Sequence, residues 1–181
     1  MSAMDASALL VRLLAYVLYP VWLAAGAVDY LCHRRSRIEQ TSGVGESAFH
    51  VLQFAVMALL LAGALLFDTT RPVLGTLFAL AVLHLVLSYL DVRYTEKRRY
   101  ISPLEQHAHG IMDVLPLVAV ALLAIVHWPD LIQPVGPQIR LREALPLRDA
   151  ALFLGSYLVL AGTPIVEEHW RTRRAQTAPS T

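Results

Sequence analysis

Three ionisable residues follow one another at intervals of four: Glu105, His109 and Asp113. Just before them, Ser102 and Pro103 predict the start of a helix, with Glu105 as the third residue of a capping box. Each four-residue step turns a helix by only about 40°, so the three side chains lie along one stripe. Carboxylates and imidazoles are the ligands that first-row transition metals accept. This stripe therefore predicts one wall of a metal site.

The rest of the chain is unusually apolar. It has 181 residues, of which 56% are hydrophobic, and its mean hydropathy is +0.53. The apolar residues form five blocks at about residues 9–28, 51–67, 73–90, 111–126 and 150–166. Each block is close to the ~20 residues that a membrane-spanning helix needs. We predict an all-α polytopic membrane protein, residues 1–181 forming one bundle of five transmembrane helices, with a disordered tail at about 172–181.

The positive charges predict how the bundle sits in the membrane. Ten of the 15 lysines and arginines follow the first, third and fifth apolar blocks, and four lie in the connections on the other side. By the positive-inside rule, the N-terminus is outside and the C-terminus is cytoplasmic. This predicts a multi-pass cell-membrane protein, in the inner membrane if the source is bacterial. The net charge of +1 and the absence of a basic motif give no indication of nucleic-acid binding.

Six of the seven histidines and nine of the 14 acidic residues fall at or near the predicted cytoplasmic helix ends. Four of them are predicted as direct metal ligands: His50, His84, His109 and Asp113. Three carboxylates are predicted as ligands or bridges: Glu46, Asp91 and Glu105. Four more complete the site or support it: Asp29, His33, Glu168 and His169. The interpretation depends most on His84 and Asp113, because ionisable groups deep in a bilayer require polar partners.

Simpler interpretations compete at several of these positions. Asp29 and His33 alone are typical of a helix end, where an imidazole also interacts well with the helix dipole. His84 could be a structural residue bonded to Ser88 or to a backbone carbonyl. His107 points away from the stripe of His109. The sequence does not reveal which of three consecutive residues faces the bundle: Glu167, Glu168 or His169.

More than four candidate ligands, most of them carboxylates, favour two bridged ions over one. Iron is the first candidate, with zinc as the alternative. The set is similar in style to that of membrane di-iron enzymes, but it lacks their HxxHH boxes and the Glu-x-x-His spacing of ferritin-like bundles. The position at the membrane boundary predicts redox or oxygen-activating chemistry on a lipid-like or quinone-like substrate that enters from the bilayer.

Three other classes remain open from the sequence. The first is a zinc-dependent membrane hydrolase acting on lipids, with a carboxylate as general base to a metal-bound water. The second is a haem-binding electron carrier with two histidine ligands, which would leave the carboxylates unexplained. The third is a non-enzymatic membrane subunit or carrier. Through-transport is disfavoured because the outer halves of the helices carry few polar residues.

Overall fold

The computed structural model describes residues 3–133, 138–143 and 147–177, and five long helices dominate it. Two of them, α1 and α5, are each interrupted by a π-helical turn. Their bounds are α1, Ala3–Leu13, Leu14–Leu18 (π) and Tyr19–Ser36; α2, Gly43–Leu66; α3, Arg71–Thr95; α4, Pro103–Val126; and α5, Leu147–Tyr157, Leu158–Gly162 (π) and Thr163–Thr177. The described residues contain no β-strand, only an isolated bridge between Phe67 and Leu141. The predicted all-α bundle is confirmed, and all five helices are long and apolar enough to cross a membrane.

The helices extend beyond the apolar blocks at one end of the bundle. Helix α1 continues to Ser36, and α5 continues through Thr177, so residues 172–177 are helical and not the disordered tail expected from the sequence. Thr172 explains the difference, because its side chain is buried and its hydroxyl hydrogen-bonds to that of Ser47, 2.9 Å away. Residues 178–181 lie outside the described part of the chain. So does part of the connection before α5, which otherwise contains a one-turn helix at Trp128–Leu131.

The predicted capping box at the start of α4 is confirmed. The Ser102 hydroxyl accepts a hydrogen bond from the Glu105 backbone N–H (3.2 Å), and the Glu105 carboxylate accepts one from the Ser102 N–H (3.4 Å). This reciprocal pair satisfies two backbone donors that a helix start otherwise leaves open. It also fixes Glu105 in the first turn of α4, with its carboxylate turned towards the other helices.

The two halves of the bundle are built from different residues. One half contains a hydrophobic core from α2 to α5: Val56, Met57, Leu60, Val73, Leu77, Ala81, Val120 and Tyr157. The outer surface is also apolar, with large side chains such as Leu59 and Phe78 more than half exposed. An apolar exterior of this kind is what a helix bundle presents to lipid. The polar residues concentrate inside the other half.

A close approach between α2 and α3 brings their polar ends together. A Cβ atom on Gly45 would lie only 2.0 Å from the hydroxyl oxygen of Tyr94, so this position requires glycine. The Tyr94 hydroxyl then donates to the backbone carbonyl of Ser42 (3.2 Å). This contact aligns Glu46, the next residue of α2, with the last turns of α3.

Candidate metal centre

Eight ionisable side chains, contributed by all five helices, meet inside the polar half of the bundle. We call them the ligand cluster: Asp29, His33, Glu46, His50, Asp91, Glu105, His109 and Glu168. None is more than 9% exposed. So many ionisable groups are rarely buried together unless they are paired or bind metal.

His33 is at the centre of the ligand cluster. Its Nε2 atom lies 3.3 Å from Glu105, 3.5 Å from Asp29 and 3.6 Å from Glu46, measured to the nearest carboxylate oxygen. Nevertheless, Nε2 is buried and has no hydrogen-bond partner in the described residues. Ligands about 2.1 Å from a common metal ion lie roughly 3.0–3.5 Å from one another. The spacing around His33 therefore matches that of atoms sharing an ion.

His109 completes the first of two overlapping ligand groups. Its Nε2 atom is 2.9 Å from an Asp29 oxygen, but neither atom has a partner in hydrogen-bond geometry among the residues that the structure describes. Asp29, His33, Glu105 and His109 each offer one ligand atom, and these four atoms lie within 4.8 Å of one another. Two carboxylates and two imidazoles form a donor set that iron, manganese and zinc all accept.

The second ligand group shares His33 with the first. It comprises His33, Glu46 and His50, again with ligand atoms within 4.8 Å of one another. The His33 and His50 rings are stacked, with centroids 4.5 Å apart and planes at 2°. The Nε2 atom of His50 also lies 3.1 Å from Asp91. Two parallel imidazoles at this separation can each bind a different metal ion.

Glu168 holds both stacked histidines through their Nδ1 atoms. One of its oxygens accepts a hydrogen bond from Nδ1 of His33 (2.9 Å), and the other accepts one from Nδ1 of His50 (2.5 Å). With Nδ1 as the donor in both rings, Nε2 of His33 is turned to the carboxylates on the other side, and Nε2 of His50 lies 3.1 Å from an Asp91 oxygen. Metal-binding histidines usually donate their second ring N–H to a carboxylate in the same way. Glu168 is therefore placed to support the metal site without binding the metal itself.

Arg99 also belongs to this site, and the sequence did not predict it. It lies among the basic residues of the loop between α3 and α4, where an arginine only indicates the side of the membrane. Its buried guanidinium forms ion pairs with both Glu46 and Glu105. Burial opposes its charge, but the hydrogen bonds that it donates to Glu105 and Glu46 outweigh this and raise the pKa of Arg99 above its ordinary value. Its position three residues before the N-cap of α4 was the only available signal.

The ligand cluster has an excess of negative charge. Five carboxylates belong to it, and within the described part of the chain Arg99 is the one arginine or lysine that pairs with them. With neutral imidazoles, the formal charge is −4. A charge of this size buried in one place requires bound cations or several protons.

The remaining predicted residues lie outside this cluster. His84 and Asp113 are deeper in the bundle, with His84 Nε2 3.7 Å from an Asp113 oxygen. His169 is directed to Ser47, 3.0 Å from its hydroxyl, and His107 is exposed with Nδ1 bonded to a backbone carbonyl. Glu167 pairs at the surface with Arg34 and Arg171. Of Glu167, Glu168 and His169, only Glu168 therefore belongs to the ligand cluster.

A cavity of about 90 Å³ adjoins the ligand cluster on its apolar side. Asp29, His33, His50 and Glu168 form one wall, and most of the other lining residues are apolar or aromatic. Small-molecule sites commonly combine an apolar cavity with a few converging polar groups. The cluster is thus accessible from within the bundle.

The adjacent acids Glu167 and Glu168 offer a matched test of this geometry. Replacing Glu168 by alanine should lower metal affinity by about 10–100-fold, the usual effect of losing a residue that orients a ligand. Replacing Glu167 by alanine removes the same charge at the surface and should leave the affinity close to that of the unmodified protein. Titration of both purified variants with Fe²⁺ and Zn²⁺ measures the difference. Equal effects would contradict the assigned role of Glu168.

The fold and the ligand cluster together define a class: a five-helix protein of membrane type with a buried carboxylate–histidine cluster that could hold a metal ion. Comparisons with protein-family models, curated proteins and solved structures found no match for the chain. The function is therefore inferred from the site itself.

Proposed function

We propose that the protein is a membrane-embedded metalloprotein whose ligand cluster binds two transition-metal ions. The observation that carries this proposal is the environment of His33: a buried Nε2 atom, without a hydrogen bond to any described residue, surrounded by three carboxylates from three helices. One ion would be bound by Asp29, His33, Glu105 and His109. The other would be bound by His50 and Asp91, with Glu46 between the two.

Charge and spacing both support two ions. Two divalent cations would neutralise the formal charge of −4, whereas protonating all three histidines would leave one negative charge uncompensated. The stacked rings of His33 and His50 are 4.5 Å apart. This is close to the ~3.5–4 Å that separates the ions of dinuclear sites.

Iron is the proposed metal, and redox or oxygen-activating chemistry on a lipid-like or quinone-like substrate is the proposed activity. Carboxylate-rich, histidine-containing sites between facing helices are typical of di-iron bundles. The apolar cavity beside the ligand cluster supports an apolar substrate. The haem alternative is disfavoured, because His33 and His50 lie on the same side in parallel and cannot ligate one haem iron from opposite faces. The donor set also suits zinc, as a zinc-dependent lipid hydrolase would require.

Metal analysis of the purified protein tests this function. We expect about two ions per chain, mostly iron, after expression in iron-supplemented cells and purification without chelators. The absorption spectrum should lack a Soret band. A Soret band would instead indicate haem, zinc alone would favour the hydrolase, and folded protein without metal would contradict the proposal altogether.

The proposed topology places the ligand cluster at the cytoplasmic side of the membrane. Ten of the 15 lysines and arginines belong to the end of the bundle that contains the cluster, which supports an outside N-terminus and a cytoplasmic C-terminus. A reporter active only in the cytosol, fused after Thr181, should therefore be active. A reporter active only outside the cytosol, fused at the same position, should be inactive. The opposite pair of results would move the ligand cluster to the outer side.

A further inference from the structure

The cavity beside the ligand cluster is lined by three polar side chains outside that cluster: Tyr30, which bonds to Glu167, Gln53, which bonds to Asp91, and His84. Most of its wall is apolar or aromatic: Trp22, Phe54, Met57, Met112, Tyr157 and Leu160. His84 of α3 also lines it and is only 4% exposed. In the described residues, neither ring nitrogen of His84 has a hydrogen-bond partner.

The surroundings of His84 supply no good partner for its ring: the backbone carbonyl of Met112 lies close to it, but outside hydrogen-bond geometry. The nearest carboxylate, that of Asp113, is 3.7 Å from Nε2, beyond hydrogen-bond distance. The other Asp113 oxygen accepts a hydrogen bond from Ser88 (3.1 Å). A buried imidazole with both nitrogens unsatisfied is costly, particularly among apolar side chains. A polar group in the cavity would remove that cost.

The charge of the cavity wall limits which polar group this can be. Asp29 and Glu168 contribute carboxylates to the wall, and no arginine or lysine of the described chain lines it. Two bound ions would leave the cluster neutral, so a charged head group, whether anionic or ammonium, would add an uncompensated buried charge. A neutral oxygen, either a hydroxyl or a carbonyl, can bond to the imidazole without this cost.

We propose that this cavity binds an apolar molecule carrying one neutral oxygen group, with that oxygen hydrogen-bonded to His84. The inference rests on the proposed function and specifies its substrate class: long-chain alcohols, aldehydes and quinone-type carbonyl compounds, and not fatty acids or phospholipids. The cavity of about 90 Å³ holds the oxygen-bearing end of such a molecule between the aromatic residues of α1, α2 and α5, and the rest of its apolar chain extends out of the cavity. The oxygen-bearing carbon is then held beside His50 and Asp29, at the proposed metal ions.

Photolabelling of the full-length protein in membranes tests this proposal. The probe is a long-chain primary alcohol with a diazirine near its hydroxyl end, and labelled residues are mapped by mass spectrometry. We expect labelling of cavity residues such as Met57 and Met112. Excess decan-1-ol should compete at least about tenfold more effectively than decanoic acid or decane, because one hydrogen bond to a buried group corresponds to roughly that factor.

Two variants address the cavity directly. His84→Leu removes the hydrogen bond and should weaken labelling about tenfold while metal content is retained. Gly26→Leu should block labelling by filling the cavity, since Gly26 lines it and its Cβ would already be in contact with Met112 (3.6 Å to Sδ). Gly75→Leu is the matched control, because Gly75 is exposed and a Cβ there meets nothing within 4 Å.

The outcomes separate this proposal from the metal proposal. Cavity labelling that is lost in His84→Leu but occurs in protein without metal would support the binding site and contradict the metal function. Metal-loaded protein whose labelling is unchanged in both His84→Leu and Gly26→Leu would overturn the binding site and leave the metal function intact. Equal competition by decanoic acid and decan-1-ol would overturn the requirement for a neutral oxygen.

Discussion

Replacing His33 by alanine is expected to remove most of the metal from the protein. The Nε2 atom of His33 lies 3.3–3.6 Å from Glu105, Asp29 and Glu46, so its loss removes a ligand of one ion and a neighbour of Glu46, the carboxylate proposed to lie between the two ions. Losing even a supporting residue costs about 10–100-fold in affinity, and a direct ligand should cost at least as much. Metal content per chain, measured after extensive dialysis, reports the change.

His107→Ala is the control for this experiment. His107 is an exposed histidine at the same end of the bundle, and its Nδ1 atom bonds to the backbone carbonyl of Pro103 (2.7 Å). Its replacement should leave metal content unchanged. If His107→Ala removed as much metal as His33→Ala, or if His33→Ala kept its full complement, the ligand cluster would not be the metal site.

Removing the metal is expected to lower the melting temperature by roughly 8–16 °C. Metal present at 1,000 times its Kd stabilises the folded state by about 4 kcal/mol. For a chain of this size, each kcal/mol corresponds to about 2–4 °C. The direction follows from the formal charge of −4, since the buried carboxylates repel one another once the cations are removed. Circular dichroism in detergent, with and without a strong chelator, measures the shift.

The His33→Ala variant provides the control for chelation. Because it should already have lost its metal, chelator should not lower its melting temperature further. A similar shift in both proteins would show that the chelator acts elsewhere. An unchanged melting temperature in the unmodified protein, after verified metal removal, would mean that the cluster is held by its own protons and by Arg99.

The fold was largely predictable because length and hydropathy determine it. Five apolar blocks became five helices, and Ser102, Pro103 and Glu105 predicted the start of α4 to the residue. The C-terminal ends of α1 and α5 were not predictable in the same way. Hydropathy falls where α1 and α5 leave the apolar layer, but both helices continue, since buried groups such as Thr172 supply tertiary contacts that composition does not reveal.

The site was predictable as a set of residues but not as an arrangement. Helical spacing related Glu105 to His109, and Glu46 to His50, because those pairs lie on one helix. It could not show that His33 is central, since the three carboxylates around it come from three different helices. The predicted depth of His84 in the membrane also favoured it as a ligand. In the structure, the packing of α3 directs its side chain to the cavity.

The π-helical turn at Leu158–Gly162 has a consequence for how the length of the chain can vary. A π turn bonds residue i to i+5 and so contains about one residue more than an α turn. Deleting one residue there would convert it to an ordinary turn and leave Glu168 on the same face of α5. Deleting one residue between Thr163 and Glu168 would instead rotate Glu168 by about 100°, away from His33 and His50. Single-residue deletions in α5 should therefore be tolerated at the π turn and be disruptive immediately after it.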